Sequence, residues 1–424
     1  MIDRLRARAR TEIRRRGVRA PRAYWLGRYG LARALAASPM GAAARRERET
    51  VRDAAGEPRL PPRGRPVKPV VLFYAINGAG LGHVSRCLAI ARHLRSVTPV
   101  FVTTSTRAPV LDRYGIPYRF VPSWDARASA RARWNERLRS VLLEELDRHR
   151  PAIVVFDGVA PDVGLVQAWR ARPEIGRVAI RRAYRLDGRE IVVTARDAET
   201  DLLIVPHDPG SAAVPVPRGP VARAVGPIAI VGPEDAMSRE DARASLGIRP
   251  DARAALVQLG AGALGGSAGY RERLVDELVA AGIAVAITRY EGARAGRVHE
   301  VDRYPIAEVL PAFDAAIGAA GYNTFVELML HGVPAVLVPN EDTRSDDQGA
   351  RARAAAEAGA AFVARDGDVA AMVEHARAML GDDDLRARMS ASARALVPRN
   401  GAPEAAAVLE AYCARILARR PATP

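Results

Sequence analysis

The sequence predicts an α/β protein: two Rossmann-like, doubly wound domains facing a cleft, preceded by a basic N-terminal extension. Three observations predict it. Short, continuous apolar runs alternate with segments of helical spacing, as buried parallel strands do with their crossover helices. The order strand, Gly-rich loop, helix occurs twice, once from Val70 and again from Ala255. A turn-rich stretch near 226–234, marked by Val225-Gly226-Pro227-Ile228 and Val231-Gly232-Pro233, separates the two and reads as a hinge. With 424 residues, 49% of them apolar, the chain can bury two cores.

Residues 1–66 form the extension, closed by Leu60-Pro61-Pro62-Arg63-Gly64-Arg65-Pro66. The net charge of +16 belongs mainly to it, because residues 1–50 hold fourteen Arg against four acidic residues. No nucleic-acid recognition motif accompanies that charge, so nucleic acid is not expected as a partner. Ile2, Leu5, Ala9 and Ile13 recur at roughly helical spacing, and Tyr24, Trp25 and Tyr29 follow. Such a segment suits peripheral contact with an anionic membrane surface; a solvated tail fits it slightly better. No apolar run of about 18 residues is present to span a bilayer. Arg28 and Arg33 interrupt what would be a signal-peptide core. The expected location is the cytoplasm, with the inner face of the membrane as the site of any contact. Cys87 and Cys413 are too few for a disulfide framework or a zinc cage. Arginine is so abundant that a single arginine carries little weight.

Residues 67–228 are expected to form the first domain. Its strands are Val70–Ala75, Val100–Thr103, Tyr118–Val121, Ile153–Phe156 and Leu202–Val205, with helices at Val84–Leu94 and Trp134–Arg148. Residues 229–395 repeat the scheme with strands Ala255–Leu259, Ala284–Ile287, Ala315–Gly318 and Ala335–Val338 and helices Tyr270–Ala281 and Thr324–Leu330. Residues 396–424 are helical and are expected to pack back toward the first domain.

Three segments carry candidate chemistry. The first is Asn77-Gly78-Ala79-Gly80-Leu81-Gly82-His83, where Gly78, Gly80 and Gly82 let the backbone approach a ligand. The spacing misses the dinucleotide fingerprint, and no acidic residue ends the next strand, which speaks against a nicotinamide enzyme. His83 stands at the sheet's carboxyl edge, where it can act as a general base or merely cap the helix. Asp157, ending the strand Ile153–Phe156, either orients His83 or the acceptor or, as the spacing favours, serves as a turn residue. The second segment is Gly260-Ala261-Gly262, a loop able to hold a diphosphate. Gly265-Gly266-Ser267-Ala268-Gly269 formally matches a serine-hydrolase elbow, but it starts too far from the strand, and Ser267 reads better as a helix N-cap. The third is Gly321-Tyr322-Asn323-Thr324-Phe325-Val326-Glu327. Asn323 or Thr324 can cap the helix, and Thr324 with Glu327 has capping-box spacing. Glu327 is also placed where a carboxylate accepts from both ribose hydroxyls. Downstream, the polar loop containing Asp347 and Gln348 suits a sugar or solvent equally. Asp366-Gly367-Asp368 imitates a metal-binding motif, yet Asp368 precedes a helix and reads as its cap, as does the run Asp382–Asp384. No histidine shows metal-ligand spacing, so no metal site is expected.

Together these residues resemble the GT-B superfamily of inverting glycosyltransferases. The likeness is greatest to the branch shared by UDP-glucuronosyltransferase-like enzymes and the N-acetylglucosaminyltransferase that completes the lipid-linked peptidoglycan precursor. It runs from about Val67 to the C-terminal helices. Gly82-His83 matches a Gly-His pair whose His often serves as the base. Gly321, Tyr322, Asn323, Thr324 and Glu327 match the donor signature in register, and the Gly332-Val333-Pro334 that follows matches too. The resemblance implies a ribose contact for Glu327 and a grip on the donor sugar by Asp347 and Gln348. It departs at Ala319, where such enzymes often place a phosphate-binding His, so the diphosphate must rest more on the amides of the 260–266 and 320–324 loops. The implied activity is hexosyl transfer from a nucleoside diphosphate sugar, a UDP-sugar favoured, to a hydroxyl acceptor that the sequence does not identify. The nucleotide sugar is a co-substrate, and no further cofactor is required. A nucleotide-sugar 2-epimerase of the same fold matches the donor signature less well. A noncatalytic nucleotide-sugar scaffold leaves the retention of both His83 and Gln348 unexplained.

Overall fold

A computed structural model describes residues 68–76, 81–123, 128–182, 185–186, 189–190, 196–211, 219–260, 270–287, 298–341 and 346–419. The extension 1–66 and the sequence-predicted Gly78, Gly80, Ala261, Gly262 and Ser267 lie outside the described residues. Two parallel sheets organise the rest.

The first sheet contains β1 (Val70–Ala75), β2 (Thr98–Thr103), β3 (Tyr118–Phe120), β4 (Ile153–Asp157) and β5 (Gly176–Ile180). A two-residue hairpin, β6 (Arg185–Leu186) and β7 (Arg189–Glu190), stands apart, and β8 (Leu202–Pro206) and β9 (Val221–Val225) complete the sheet. The order is β3-β2-β1-β4-β5-β8-β9. Helices α1 (Gly82–Arg92), α2 (Ala128–His149) and α3 (Val163–Ala171) make the crossovers. The apolar runs form strands because both of their faces are covered. Val71 and Phe73 of β1 point into the core shared with α1, whereas Leu72 and Tyr74 point into the one shared with α2 and α3.

Helix α4 (Arg239–Leu246) opens the second half. Its sheet contains β10 (Ala254–Gln258), β11 (Ala284–Ile287), β12 (Val298–Glu300), β13 (Ala315–Ala319), β14 (Ala335–Val338) and β15 (Ala361–Val363), in the order β12-β11-β10-β13-β14-β15. Helices α5 (Arg271–Ala280), α6 (Tyr322–His331), α7 (Gln348–Glu357), α8 (Val369–Gly381) and α9 (Asp383–Leu396) surround it, and α10 (Ala402–Ala418) ends the described chain. In each sheet the strand order reverses beside the first strand, between β1 and β4 and between β10 and β13. Crevices at such reversals are where doubly wound sheets bind ligands.

Several local expectations need correction. Helix α2 starts at Ala128, before the expected Trp134. Helix α5 starts at Arg271 with Tyr270, not Ser267, at its cap position. Helix α6 starts at Tyr322 with Gly321 at its cap position and no side-chain cap. Asn323 and Thr324 therefore lie inside the first turn, and the capping box does not form. The expected caps Asp368 and Asp382 do form, accepting from Ala371 N at 3.1 Å and Leu385 N at 2.9 Å. Cys87 and Cys413 are both free and buried. No helix among the described residues is long and apolar enough to cross a membrane.

The two halves are joined twice. The stretch after β9 is buried at Ile228, Ala229, Ile230 and Val231. Asn400 holds it from the other crossing: its side chain accepts from Ala229 N at 3.1 Å and donates to Ala229 O at 3.0 Å. Helix α10 then packs on α1, β5 and β9 of the first sheet. At this point the backbone of Gly401 lies so close to Gly226 that a Cβ on Gly401 would overlap the Gly226 carbonyl. Gly401→Ala is expected to destabilise the protein by about 1–3 kcal/mol, as overpacking does. Urea unfolding of the variant checks this, and an unchanged midpoint refutes it.

Candidate active site

The sheet register brings the first group together. Ala75 of β1 pairs with Asp157 of β4, so the two strands end side by side. His83, the second residue of α1, thereby meets Asp157, its Nδ1 lying 2.9 Å from Oδ1. The carboxylate only accepts, so Nδ1 carries the hydrogen and Nε2 keeps its lone pair. His83 is thus neither a backbone-bonded cap, nor is Asp157 the turn residue that the sequence favours. Asp157 is fully buried.

Arg86, one turn after His83 and also buried, completes the group. Its Nε donates to Asp157 Oδ2 at 2.8 Å and its Nη2 to Oδ1 at 2.5 Å. Burial opposes ionisation of Asp157, yet Arg86 and His83 outweigh it and hold the carboxyl at about 2. For His83, burial and the positive charges of Arg86 and Arg182 outweigh the attraction of Asp157, and its pKa is lowered. The imidazole is therefore neutral at neutral pH, the form a base requires.

The second crevice faces the first. Gly260, after β10, has φ +79°, a left-handed angle that favours glycine. Beyond β13, Gly321 leads into α6, whose N-terminal amides have no side-chain cap among the described residues. Asn323 reaches across and donates from Nδ2 to Gly82 O at 3.3 Å. Tyr322 is buried at the same junction, its hydroxyl accepting from Ile228 N at 2.9 Å. Arg86 and Arg182 lie over its ring at 5.5 and 4.4 Å from the centroid.

Glu327 sits one turn into α6, buried, and among the described residues its carboxylate has no hydrogen-bond partner. Burial raises its pKa to about 8. Tyr304 is close enough to feel its charge and bonds Ser85 of α1 at 2.6 Å between hydroxyl oxygens. Gln348 begins α7, and its Oε1 accepts from Asn340 N at 3.0 Å. Its Nε2 lies toward Gly321, 3.9 Å from where a Cβ would stand. Asp347 caps α7, accepting from Ala350 N at 3.0 Å. Thr324 shares the first turn of α6 and packs beside Gly318. Among the described residues no cluster of His, Cys, Asp and Glu could hold a metal ion.

Known proteins are similar to this chain in sequence and in fold. Residues 298–406 match the glycosyltransferase family 28 C-terminal domain. The UDP-N-acetylglucosamine--N-acetylmuramyl-(pentapeptide) pyrophosphoryl-undecaprenol N-acetylglucosamine transferase of Symbiobacterium thermophilum is 32% identical over 357 residues, covering 75% of this chain and 90% of that protein. The chain belongs to glycosyltransferase family 28. The transferase of the same name from Salinibacter ruber is 28% identical over 359 residues, covering 75% and 90%. Among solved structures, Acinetobacter baumannii MurG superposes with a TM-score of 0.56 at 18% identity, covering 81% of this chain and 99% of that one. The spinosyn forosaminyltransferase SpnP superposes at 0.60 with 16% identity, covering 82% and 99%. At those identities the structures establish the GT-B fold alone.

In this glycosyltransferase the sequence-predicted residues His83, Gly82, Asp157, Gly321, Tyr322, Asn323, Thr324, Glu327 and Gln348 gather at the facing crevices. The sequence reading missed Arg86, Arg182 and Tyr304. A signal existed for Arg86, which lies three residues after His83 on one helical face. None marks Arg182 or Tyr304, which come from other parts of the chain.

Proposed function

We propose that the enzyme transfers a sugar from a UDP-sugar to an acceptor hydroxyl with inversion at the anomeric carbon. The observation that carries this reading is the seating of the His83–Asp157 pair against the N-terminus of α6, with Asn323 bonded to Gly82. That seating supports a reading in which neutral His83 is the base and the nearby α6 amides hold the diphosphate. His83 Nε2 takes the hydroxyl proton as the acceptor oxygen bonds to the anomeric carbon. The bond from that carbon to the diphosphate oxygen breaks, and its electrons leave with UDP. A single displacement from the opposite face inverts the centre. Backbone amides and the α6 dipole meet the growing negative charge, so the proposed step draws on no metal. Glu327 accepts the ribose hydroxyls, and Gln348 holds the sugar. The names of the relatives make UDP-N-acetylglucosamine the first donor to try, and an N-acetylmuramyl pyrophosphoryl-lipid the first acceptor.

A thermal-shift panel of UDP, dTDP, GDP, CDP and NAD tests the donor site, because a ligand of the folded state raises Tm by mass action. UDP is expected to shift the protein and to lose that effect in Glu327→Ala. A shift with NAD alone would overturn the reading.

Glu327 also predicts a pH effect in the free enzyme. Its folded pKa of about 8 exceeds the unfolded value of 4.5, so the folded state binds the proton more tightly. Stability therefore falls as pH rises from the unfolded pKa through about 8. Glu327→Gln is expected to raise Tm by an amount that grows from pH 4.5 to about 8, to leave it unchanged below pH 4.5, and to weaken UDP binding. Parallel Tm–pH curves for the two proteins would refute it.

A further inference from the structure

Four charged side chains close a ring across the junction of the two halves. Arg182, just past β5, donates from Nη1 to Asp208 Oδ2 at 3.0 Å, and Asp208 lies just past β8. Asp208 Oδ1 accepts from Nε of Arg351 in α7 at 2.7 Å. Arg351 Nη2 donates to Asp346 Oδ1, and the same oxygen accepts from Arg182 Nη1 at 3.5 Å. Arg351 is wholly buried, Arg182 and Asp208 nearly so, and Asp346 is 18% exposed at its side chain. Signs alternate, so the ring is neutral.

Its members touch the donor loops at three places. Asp346 directly precedes Asp347 and Gln348. Arg351 Nη1 donates to Ala320 O at 2.5 Å, immediately before Gly321. Arg182 lies over Tyr322 at the start of α6. A buried ion ring gains little stability over apolar packing, because its desolvation offsets its attraction. Geometry is what such a ring supplies: guanidinium forks fix carboxylates in direction as well as distance.

We propose that Arg182, contributed by the half opposite the donor loops, is a positioning residue for the donor sugar. Through Asp346 it sets the 346–348 loop, so the sugar is gripped only while the two halves are engaged. This rests on the reading of Gln348 as a sugar contact given above. The ribose contact at Glu327 lies outside the ring and does not depend on it.

Titration calorimetry with UDP and with UDP-N-acetylglucosamine separates the two effects. The wild-type protein tests the donor reading by itself, since failure to bind either ligand sinks that reading and this one together. In Arg182→Met, the UDP Kd is expected to stay within about twofold, while the sugar nucleotide weakens about tenfold, a coupling typical of residues in one network. Arg182→Lys keeps the charge and is expected to recover most of the loss. Asp346→Asn, at the least buried corner, gives the same split should Arg182→Met not fold. Equal weakening of both ligands would mean a merely structural role and would overturn the proposal, as would no change in either.

Discussion

His83→Ala is expected to lower kcat by about 10²–10⁴-fold, the usual contribution of a positioned general base, while UDP still raises the melting temperature. The prediction follows from separation within the site. Among the described residues His83 of α1 bonds only groups of the first half, whereas the proposed diphosphate and ribose contacts lie at α6. Its loss removes the proton acceptor and leaves the nucleotide's partners in place. The pH profile is a second measurement. Because burial lowers the His83 pKa, the acid limb of kcat/KM should fall below the ordinary imidazole value, with activity declining as pH drops through it. A clean His83→Ala preparation as active as wild type would end its assignment as base.

Asp157→Asn should lower both activity and stability, and a double variant can part the two. In the wild type, Arg86 and His83 hold the Asp157 pKa at about 2 against 3.8. A depressed carboxyl pKa contributes stability that is present above the unfolded value and lost as pH falls through the folded one. Here that amounts to about 2 kcal/mol at neutral pH. Asn removes this term and leaves the buried Arg86 guanidinium without its counter-charge, so the total cost is expected to reach about 3–5 kcal/mol. It also frees the imidazole to choose the wrong tautomer, and turnover should drop by about 10²-fold or more. Adding Arg86→Met removes the stranded charge. The double variant is therefore expected to regain much of the urea midpoint and little of the turnover. Recovery of both together would show that Asp157 acts only on stability.

The candidate site was legible in proportion to how local its signals are. Gly82-His83 is a contiguous pair at a strand–helix boundary, and Gly321 through Glu327 lie within two turns of one another, so short-range spacing exposes them. Asp157 is different. A carboxylate ending a strand serves equally as a turn residue, and only the β1–β4 register carries it to His83. Arg86 was hidden by abundance, one of 64 basic residues. Arg182, Asp208 and Arg351 stand far apart in the chain and share no spacing rule, and the ring they form with Asp346 exists only once two sheets are packed. The helix-cap expectation at Thr324 went wrong for a related reason. A capping pattern one turn into a helix looks the same as one at its start, and α6 begins earlier because Tyr322 is buried against the first half.

The amino-acid sequence by itself determined the layered α/β architecture, because apolar runs too short for helices can be covered only as strands between helices. It also determined the left-handed glycine at position 260, directly after β10, and the residue types of the donor signature. Tertiary structure alone decided which carboxylate bonds His83, which arginines share the site, and where the two crevices meet. Those outcomes depend on strand order and on the docking of one sheet's crevice against the other, and such contacts between distant residues leave no periodic trace in a single chain.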